Sequence, residues 1–410
     1  MQKEFSQQST QSHLIWIFAG ELETTLDAAT WVNTTRELRK LGWSMTLVAA
    51  GSNGEHTIDG TKVYCISAPN IYFLGKLIFH LKLLFYIISK WSTTSLILFN
   101  QPSAPWLLPL NIIRIILRGK EPLFVMDTRT VPMEDPQRSS IRDKLRTRFY
   151  NMINKIANIC VDGQTAITQR MAKRVKIPAD KLWGTWPSGV DPALFKPAIK
   201  QRIWPKEGQP IVLTYIGILH YERNLMSLCK ATEMANQFGM NFRLILTGFG
   251  TEKEALEKYA LQTKGRIEVN PPVPHDQVPS LLARAHVGVL PFPDEEKYRV
   301  SSPIKLFEYM ASGMAIMATR VVCHTDVIRD DSYTFWADDA TVQGLFETLK
   351  LIWNSRSILE SMGKKSALAS QYWSWHESAT KLSYALIYGS LHRAQSHPQE
   401  SPRRRSIRRS

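Results

Sequence analysis

"IVLTYIGILHYERNLMSLCKATEMANQFGMNFRLILTGFG", Ile211 to Gly250, is where the fold is decided. IVLTYIG is a short apolar run closed by Gly217, RNLMSLCKATEMANQFG is longer and amphipathic, and FRLILTG is a second apolar run. Short apolar runs bounded by turn residues read as buried strands, and the longer amphipathic segment reads as a helix lying over them. Two strands joined by a crossing helix pair in parallel, and a parallel sheet needs helices on both faces.

The same alternation runs outward in both directions. Downstream come TEKEALEKYALQ, IEVNPPV, DQVPSLLARA, VGVLPF and SSPIKLFEYMASG. Upstream, beyond the Pro-bearing stretch PSGVDPALFKPAIKQRIWPKEGQP, lie HLIWIFAG, DAATWVNTTRELRKLG, SMTLVAAG, SLILFN, PLFVMDTRT and NICVDG. The expected fold is α/β, with two doubly wound Rossmann-like domains over residues 12–200 and 201–372 facing each other across a cleft. A closing helix over 373–393 is expected to cross back to the first domain, and residues 1–11 and 394–410, polar or basic, read as disordered tails. Open parallel sheets bind ligands beyond the carboxyl ends of their strands, so those loops are where chemistry is expected.

A chain of 410 residues with 44% hydrophobic content has enough material for two cores, which excludes a largely disordered protein. Cys65, Cys160, Cys229 and Cys323 are scattered without a C-x-x-C pair, so neither a zinc site nor a disulfide framework is indicated. The first dozen residues lack the apolar core of a signal peptide, and the expected location is cytoplasmic, at or near the inner face of a membrane. The formal charge of +15 includes Arg403, Arg404, Arg405, Arg408 and Arg409 of the tail and favours polyanionic partners. IYFLGKLIFHLKLLFYIISKW, Ile71 to Trp91, is apolar and aromatic, but Lys76, His80 and Lys82 interrupt it and weigh against a membrane span. It reads either as a peripheral helix on an anionic membrane or as a helix buried beneath a sheet; LNIIRIILRGK, Leu110 to Lys120, adds weight to the membrane reading. No aromatic-basic recognition motif is evident, and no specific nucleic acid is expected as a partner.

SSPIKLFEYMASG, Ser301 to Gly313, predicts a helix from Pro303 to Ser312, with Ser302 as N-cap and Gly313 as a left-handed stop. Ile304, Phe307 and Ala311 share its buried side; Lys305, Glu308 and Ser312 line the opposite one. Taken alone, the Lys305 and Glu308 pair is an exposed contact worth about 0.2–0.5 kcal/mol. In VMDTRTVPMED, Asp127 and Arg129 occupy alternate positions of a strand and face the same side, either as a structural ion pair or as a functional one; Glu134 is a further candidate in that loop. His13, His56, His220, His275 and His324 have no partners at metal-ligand spacing and read as structural; no metal is expected.

In order and spacing, LTYIGILHYERNLMSL, FRLILTGFG, IEVNPPVPHDQVPSLLARAHVGVLPF, SSPIKLFEYMASGMAIMAT and HTDVIRDDSYTFWADD resemble the donor domain of family 4-like glycosyltransferases (glycosyl transferases group 1), which have the B-type glycosyltransferase fold. The N-terminal half, with FAG and WPSGVDPALFKP, is similar to their acceptor domain, and the resemblance covers roughly residues 12–390. It implies transfer of a sugar from a nucleotide-diphosphate sugar to a hydroxyl of a glycan, a lipid-linked saccharide or another glycoconjugate, retaining the anomeric configuration, as in polysaccharide biosynthesis. No cofactor is implied, and the chain contains no D-x-D motif of the metal-dependent kind.

By the same resemblance, Gly20, Gly217, Arg223, Gly248, Ser301, Ser302, Pro303, Ile304, Lys305 and Glu308 are donor-binding residues. Arg223 is implied at the diphosphate and Glu308 at the ribose hydroxyls; Asp127 and Arg129, with Glu308, are the candidates for catalysis. Two positions depart from the family pattern: Ile218 stands where an arginine is usual, making Lys305 the candidate substitute, and Val300 stands where a first glutamate is expected. A nucleotide-sugar epimerase of the same architecture and a catalytically silent, polyanion-binding scaffold are the alternatives.

Overall fold

The computed structural model describes residues 13–22, 28–119, 121–130 and 140–396; Glu134, the tail 1–11 and residues 397–410 lie outside them, while 394–396, expected in the C-terminal tail, continue the last helix, Trp375–Ser396. The chain divides into two units, one running to Trp186 and resuming at Ala379, the other spanning Pro187–Ser378.

The sheet of the first unit is built from β1 (His13–Glu21), β2 (Ser44–Ala50), β3 (Gly54–Ile58), β4 (Thr61–Ile66), β5 (Thr94–Asn100), β6 (Leu123–Thr128), β7 (Gly163–Ala166) and β8 (Leu182–Thr185). Its order is β3-β4-β2-β1-β5-β6-β7-β8, with β3 and β4 antiparallel and the other pairs parallel. Alternation along β1 sends Leu14 and Trp16 to one face and Ile15 and Ile17 to the other. On the first face they meet Trp31, Val32 and Leu38 of the Ala28–Lys40 helix and Ala379, Leu382 and Leu386 of the last helix, Trp375–Ser396. The other face is covered by the helices Tyr72–Ser89, Ala104–Ile116 and Ile141–Cys160. Each large apolar side chain so buried contributes about 1.5–3 kcal/mol.

The second unit holds β9 (Ile211–Ile218), β10 (Phe242–Phe249), β11 (Ile267–Asn270), β12 (Val287–Leu290), β13 (Ala315–Thr319) and β14 (Thr334–Ala337). They form a parallel sheet in the order β11-β10-β9-β12-β13-β14. The strands and helix expected from the Ile211–Gly250 stretch are β9, the Leu225–Gln237 helix and β10.

A division near residue 200 is the sequence expectation; the chain passes between the units at Trp186 and Pro187. The physical reason is that the Pro-bearing stretch is not a linker. Residues Pro192–Gln201 form a helix capped by Asp191, whose Oδ1 accepts from the Ala193 amide at 3.0 Å, and Phe195 of that helix is fully buried in the second core. Arg202 then anchors the segment, its buried guanidinium donating to the carbonyls of Ala285 (2.6 Å), Ser312 (2.6 Å), Gly313 (2.7 Å) and Leu282 (2.9 Å).

Candidate functional site

At the carboxyl ends of β9 and β10, Gly217 and Gly248 stand opposite each other in register. Their φ angles of +145° and +154° lie where side chains other than glycine are strained. A Cβ added to Gly248 would sit 1.8 Å from the Gly217 carbonyl oxygen, so the two strand ends approach as closely as backbone permits. A Cβ on Gly217 would come within 3.4 Å of Lys305 Cε, which places the lysine stem beside this bare backbone.

The helix beside it runs Ile304–Ala311 and ends, as expected, at a left-handed Gly313 with φ of +67°. Its start differs from the expectation. Ser302 does not cap it; its Oγ accepts from the Ser188 amide at 3.1 Å, and Pro303 takes the N-cap position. Ser301 Oγ donates to the Tyr298 carbonyl at 2.9 Å, so both serines secure the loop rather than the helix. The amides of Ile304 and Lys305 consequently open the helix with no backbone acceptor among the described residues.

The expected polar side is also not a solvent face. Ser312 is buried with its Oγ on the Glu308 carbonyl at 2.8 Å, and Glu308 is only 2% exposed. Helical period assigns sides but not surroundings, and this helix is covered on nearly all of them. Glu308 Oε2 accepts from Lys305 Nζ at 3.1 Å and Oε1 pairs with His275 Nε2 at 3.2 Å. Burial pushes the carboxyl up, but Lys305 and His275 outweigh it and hold Glu308 below the ordinary glutamate range. It is therefore a buried, ionised group at the sheet's carboxyl edge. His275, expected to be merely structural, belongs to this cluster; nothing in its local sequence marks it, because Glu308 lies 33 positions away.

Arg223 ends a short 3₁₀ turn, Tyr221–Arg223, that Asn224 closes in a left-handed conformation with φ of +59°. Its guanidinium lies 5.0 Å from the Phe292 ring centre and 5.2 Å from that of Tyr298. Two aromatic faces position the cation, and it has no carboxylate partner among the described residues. The neighbouring acidic loop is occupied within itself: Arg299 makes two 2.7 Å bonds to Asp294, and Lys297 pairs with Glu295 at 2.6 Å and Glu222 at 3.3 Å. Val300 is buried. His220 Nδ1 accepts from the Thr251 amide at 3.0 Å and His324 is fully buried on the Thr319 carbonyl, so those two histidines are structural as expected.

In the first unit, β6 ends at Thr128, so Arg129 lies just beyond the strand and not in it. It nevertheless meets the same residue as Asp127. Trp186, fully buried, donates its indole N–H to Asp127 Oδ1 at 2.9 Å while the Arg129 guanidinium stacks 3.8 Å from its ring centre. Thr165 Oγ adds a 2.6 Å bond to the same Oδ1, and Asp127 Oδ2 is buried with no partner among the described residues. Burial pushes the Asp127 carboxyl up against the pull of Arg129, Thr165 and Trp186. Trp186 is the residue that local sequence signals missed; it closes its strand pair 59 positions from Asp127. Gly20 lies within β1, where the register with β2 breaks between Phe18 and Glu21. It lines a cavity of about 550 Å³ at the carboxyl ends of β1, β2 and β4, together with Glu21, Ser52, His56 and Lys76.

Residues 210–354 match the family described as glycosyl transferases group 1. Among curated proteins no relative matches the chain. Similar solved structures include the sucrose-phosphate synthase of Thermosynechococcus elongatus, at 15% identity and a TM-score of 0.70, covering 94% of this chain and 99% of that one. A glycosyltransferase from Rickettsia africae is 13% identical with a TM-score of 0.66, over 93% and 99% of the two chains. Anabaena HepE in complex with UDP-glucose is 13% identical with a TM-score of 0.65, over 92% and 99%. These likenesses establish the B-type glycosyltransferase fold.

Proposed function

Residues 210–354 belong to the glycosyl transferases group 1 family, and on that premise we propose that the protein transfers a sugar, with retention, from a nucleotide-diphosphate sugar held on the second unit to an acceptor hydroxyl. The observation that carries this is Glu308: a carboxylate kept ionised in a buried position, at strand ends stripped to bare glycine backbone. An ionised carboxylate accepts from two vicinal hydroxyls, which suits a ribose. Lys305, the open amides of Ile304 and Lys305, and Arg223 supply positive potential for the leaving diphosphate, a task that preorganised donors perform without a metal. Lys305 takes the place of the cation missing at Ile218. The HepE structures with UDP, with UDP-glucose, and with UDP and glucose support the class of donor.

Gly20, by the same resemblance, brings its backbone close to the donor, the cavity it lines is assigned to the acceptor side, and Asp127 with Arg129 to the region facing the transferred sugar. Asp127, being fully buried, acts there by positioning Trp186 and the strand end. The acceptor is a glycan or lipid-linked saccharide of polysaccharide biosynthesis, the sugar is a hexose, and the site of action is cytoplasmic.

A thermal-shift panel of nucleotide sugars tests the proposal, since a true donor stabilises by mass action. One nucleotide sugar is expected to raise the melting temperature and to support transfer. Glu308→Ala should abolish transfer in a folded protein, and Arg223→Ala should weaken the nucleotide diphosphate far more than the nucleoside. Near-normal turnover by the Glu308 variant, or equal loss of both ligands by the Arg223 variant, would refute these roles.

A further inference from the structure

The Ile141–Cys160 helix is twenty residues long, yet its buried residues begin only at Ile153. Of the first twelve positions only Thr147 and Tyr150 are even half-buried. Exposed Ile141, Leu145, Phe149 and Met152 form a stripe at helical spacing, and exposed Arg142, Lys144, Arg146 and Arg148 flank it. A capping box between Ser140 and Asp143 fixes the start, but three turns without a fully buried residue leave an amphipathic helix face with no covering partner among the described residues.

Two neighbours extend this face. The Ala104–Ile116 helix packs beside it, with Asn111 Nδ2 on the Cys160 carbonyl at 2.8 Å, and exposes Ile112, Ile113, Ile115, Ile116 and then Leu117. On its other side, His80 of the Tyr72–Ser89 helix meets Ser103 Oγ at 3.2 Å and stacks on Trp106 with ring centres 5.1 Å apart. That helix exposes Leu74, Leu81, Phe85 and Ile88, again on one stripe. His80 itself is buried and pushed down to about 4 by desolvation, so it is not one of the surface cations. The inner sides of all three helices share one core against the sheet, so their outer sides point the same way.

We propose that this three-helix face docks on the surface of an anionic lipid bilayer. Across the three helices Asp143 is the one acidic residue, and it is committed to its cap, while Lys82, Lys155 and the four cations above intersperse the apolar positions. Leucine, isoleucine and phenylalanine interleaved with lysine and arginine suit the bilayer interface, where apolar groups enter the acyl boundary and cations reach lipid phosphates. A protein interface would instead be depleted of charge at its centre. The contact is superficial, since no described helix is long and apolar enough to cross a membrane. The face also adjoins the 550 Å³ cavity, which Lys76 and Phe79 help to line, so docking brings that cavity to the lipid surface.

Flotation of the full-length protein with phosphatidylcholine vesicles, with and without phosphatidylglycerol, tests this. Binding is expected only to the anionic vesicles. Leu145→Asp with Phe149→Asp, and separately Arg142→Glu with Arg146→Glu, should each reduce it at least about tenfold, because both the apolar and the electrostatic parts are required. Melting temperature and nucleotide-sugar stabilisation should be unchanged, which separates this proposal from the donor site. Equal binding to both vesicle types overturns it. So does binding that survives both variants but disappears when the five tail arginines become serine, or a dimer that the variants dissociate without any vesicle binding.

Discussion

A carboxylate as buried as Glu308 stays ionised only where its neighbours replace the water it has lost, and here an ammonium and an imidazole do so. Asp127 shows the opposite solution: one oxygen is doubly bonded, the other has no partner among the described residues, and burial raises its proton affinity. Asn100, its register partner on β5, has its own Oδ1 buried, and neither that oxygen nor Asp127 Oδ2 has a donor among the described residues. Because the folded carboxyl titrates above its unfolded value, the native state holds more protons than the unfolded chain between the two; stability therefore falls as pH rises through this window and stays lowered at neutral pH. Asp127→Asn keeps the acceptor for Trp186 and Thr165 and adds a donor. It is expected to be more stable than the wild type at pH 7 by about 1 kcal/mol, with a flatter dependence on pH above 4, as read by urea unfolding across pH.

Elements in this protein are set as much by their loops as by their own propensities. The Ile304–Ala311 helix has the residues of a good start in its sequence, but Ser302 is drawn to the Ser188 amide and leaves the helix mouth open. Ser302→Ala should cost about 1 kcal/mol in denaturant unfolding through loss of its bond to the Ser188 amide, with no loss of helical circular dichroism. A loss of helix content would restore the capping role. At β9 and β10 the constraint is steric: with 1.8 Å between a Gly248 Cβ and the Gly217 oxygen, the end of β10 admits no side chain without moving β9. The Ile141–Cys160 helix lies at the other extreme: among the described residues it is held chiefly by its cap and its last two turns.

At the scale of the whole molecule, each unit owns a core, and the segment that enters the second unit is tied down by a single buried guanidinium. Arg202 satisfies four carbonyls from two separate stretches of chain, Leu282 with Ala285 and Ser312 with Gly313, which a planar fork can do and an ammonium cannot. Arg202→Lys should therefore destabilise the second unit by about 3 kcal/mol, measured by urea unfolding, although charge and length are nearly kept.

Strand and helix alternation determined the two doubly wound units, because periodicity and turn residues are local properties of the chain. The glycines at strand ends and the Gly313 stop were legible for the same reason, whereas Arg223 and Glu308 were singled out by the resemblance of the motifs around them. What only the tertiary structure decided is what those residues touch: His275 on Glu308, Trp186 between Asp127 and Arg129, Ser188 on Ser302, and the burial of a face that helical period placed opposite the apolar one. Each contact joins residues between 33 and 114 positions apart, so its geometry exists only once the sheet brings its strand ends together. Likewise, charge and hydropathy marked Ile71 to Trp91 as ambiguous, and it took packing to show that one side of the helix is core and the other is surface.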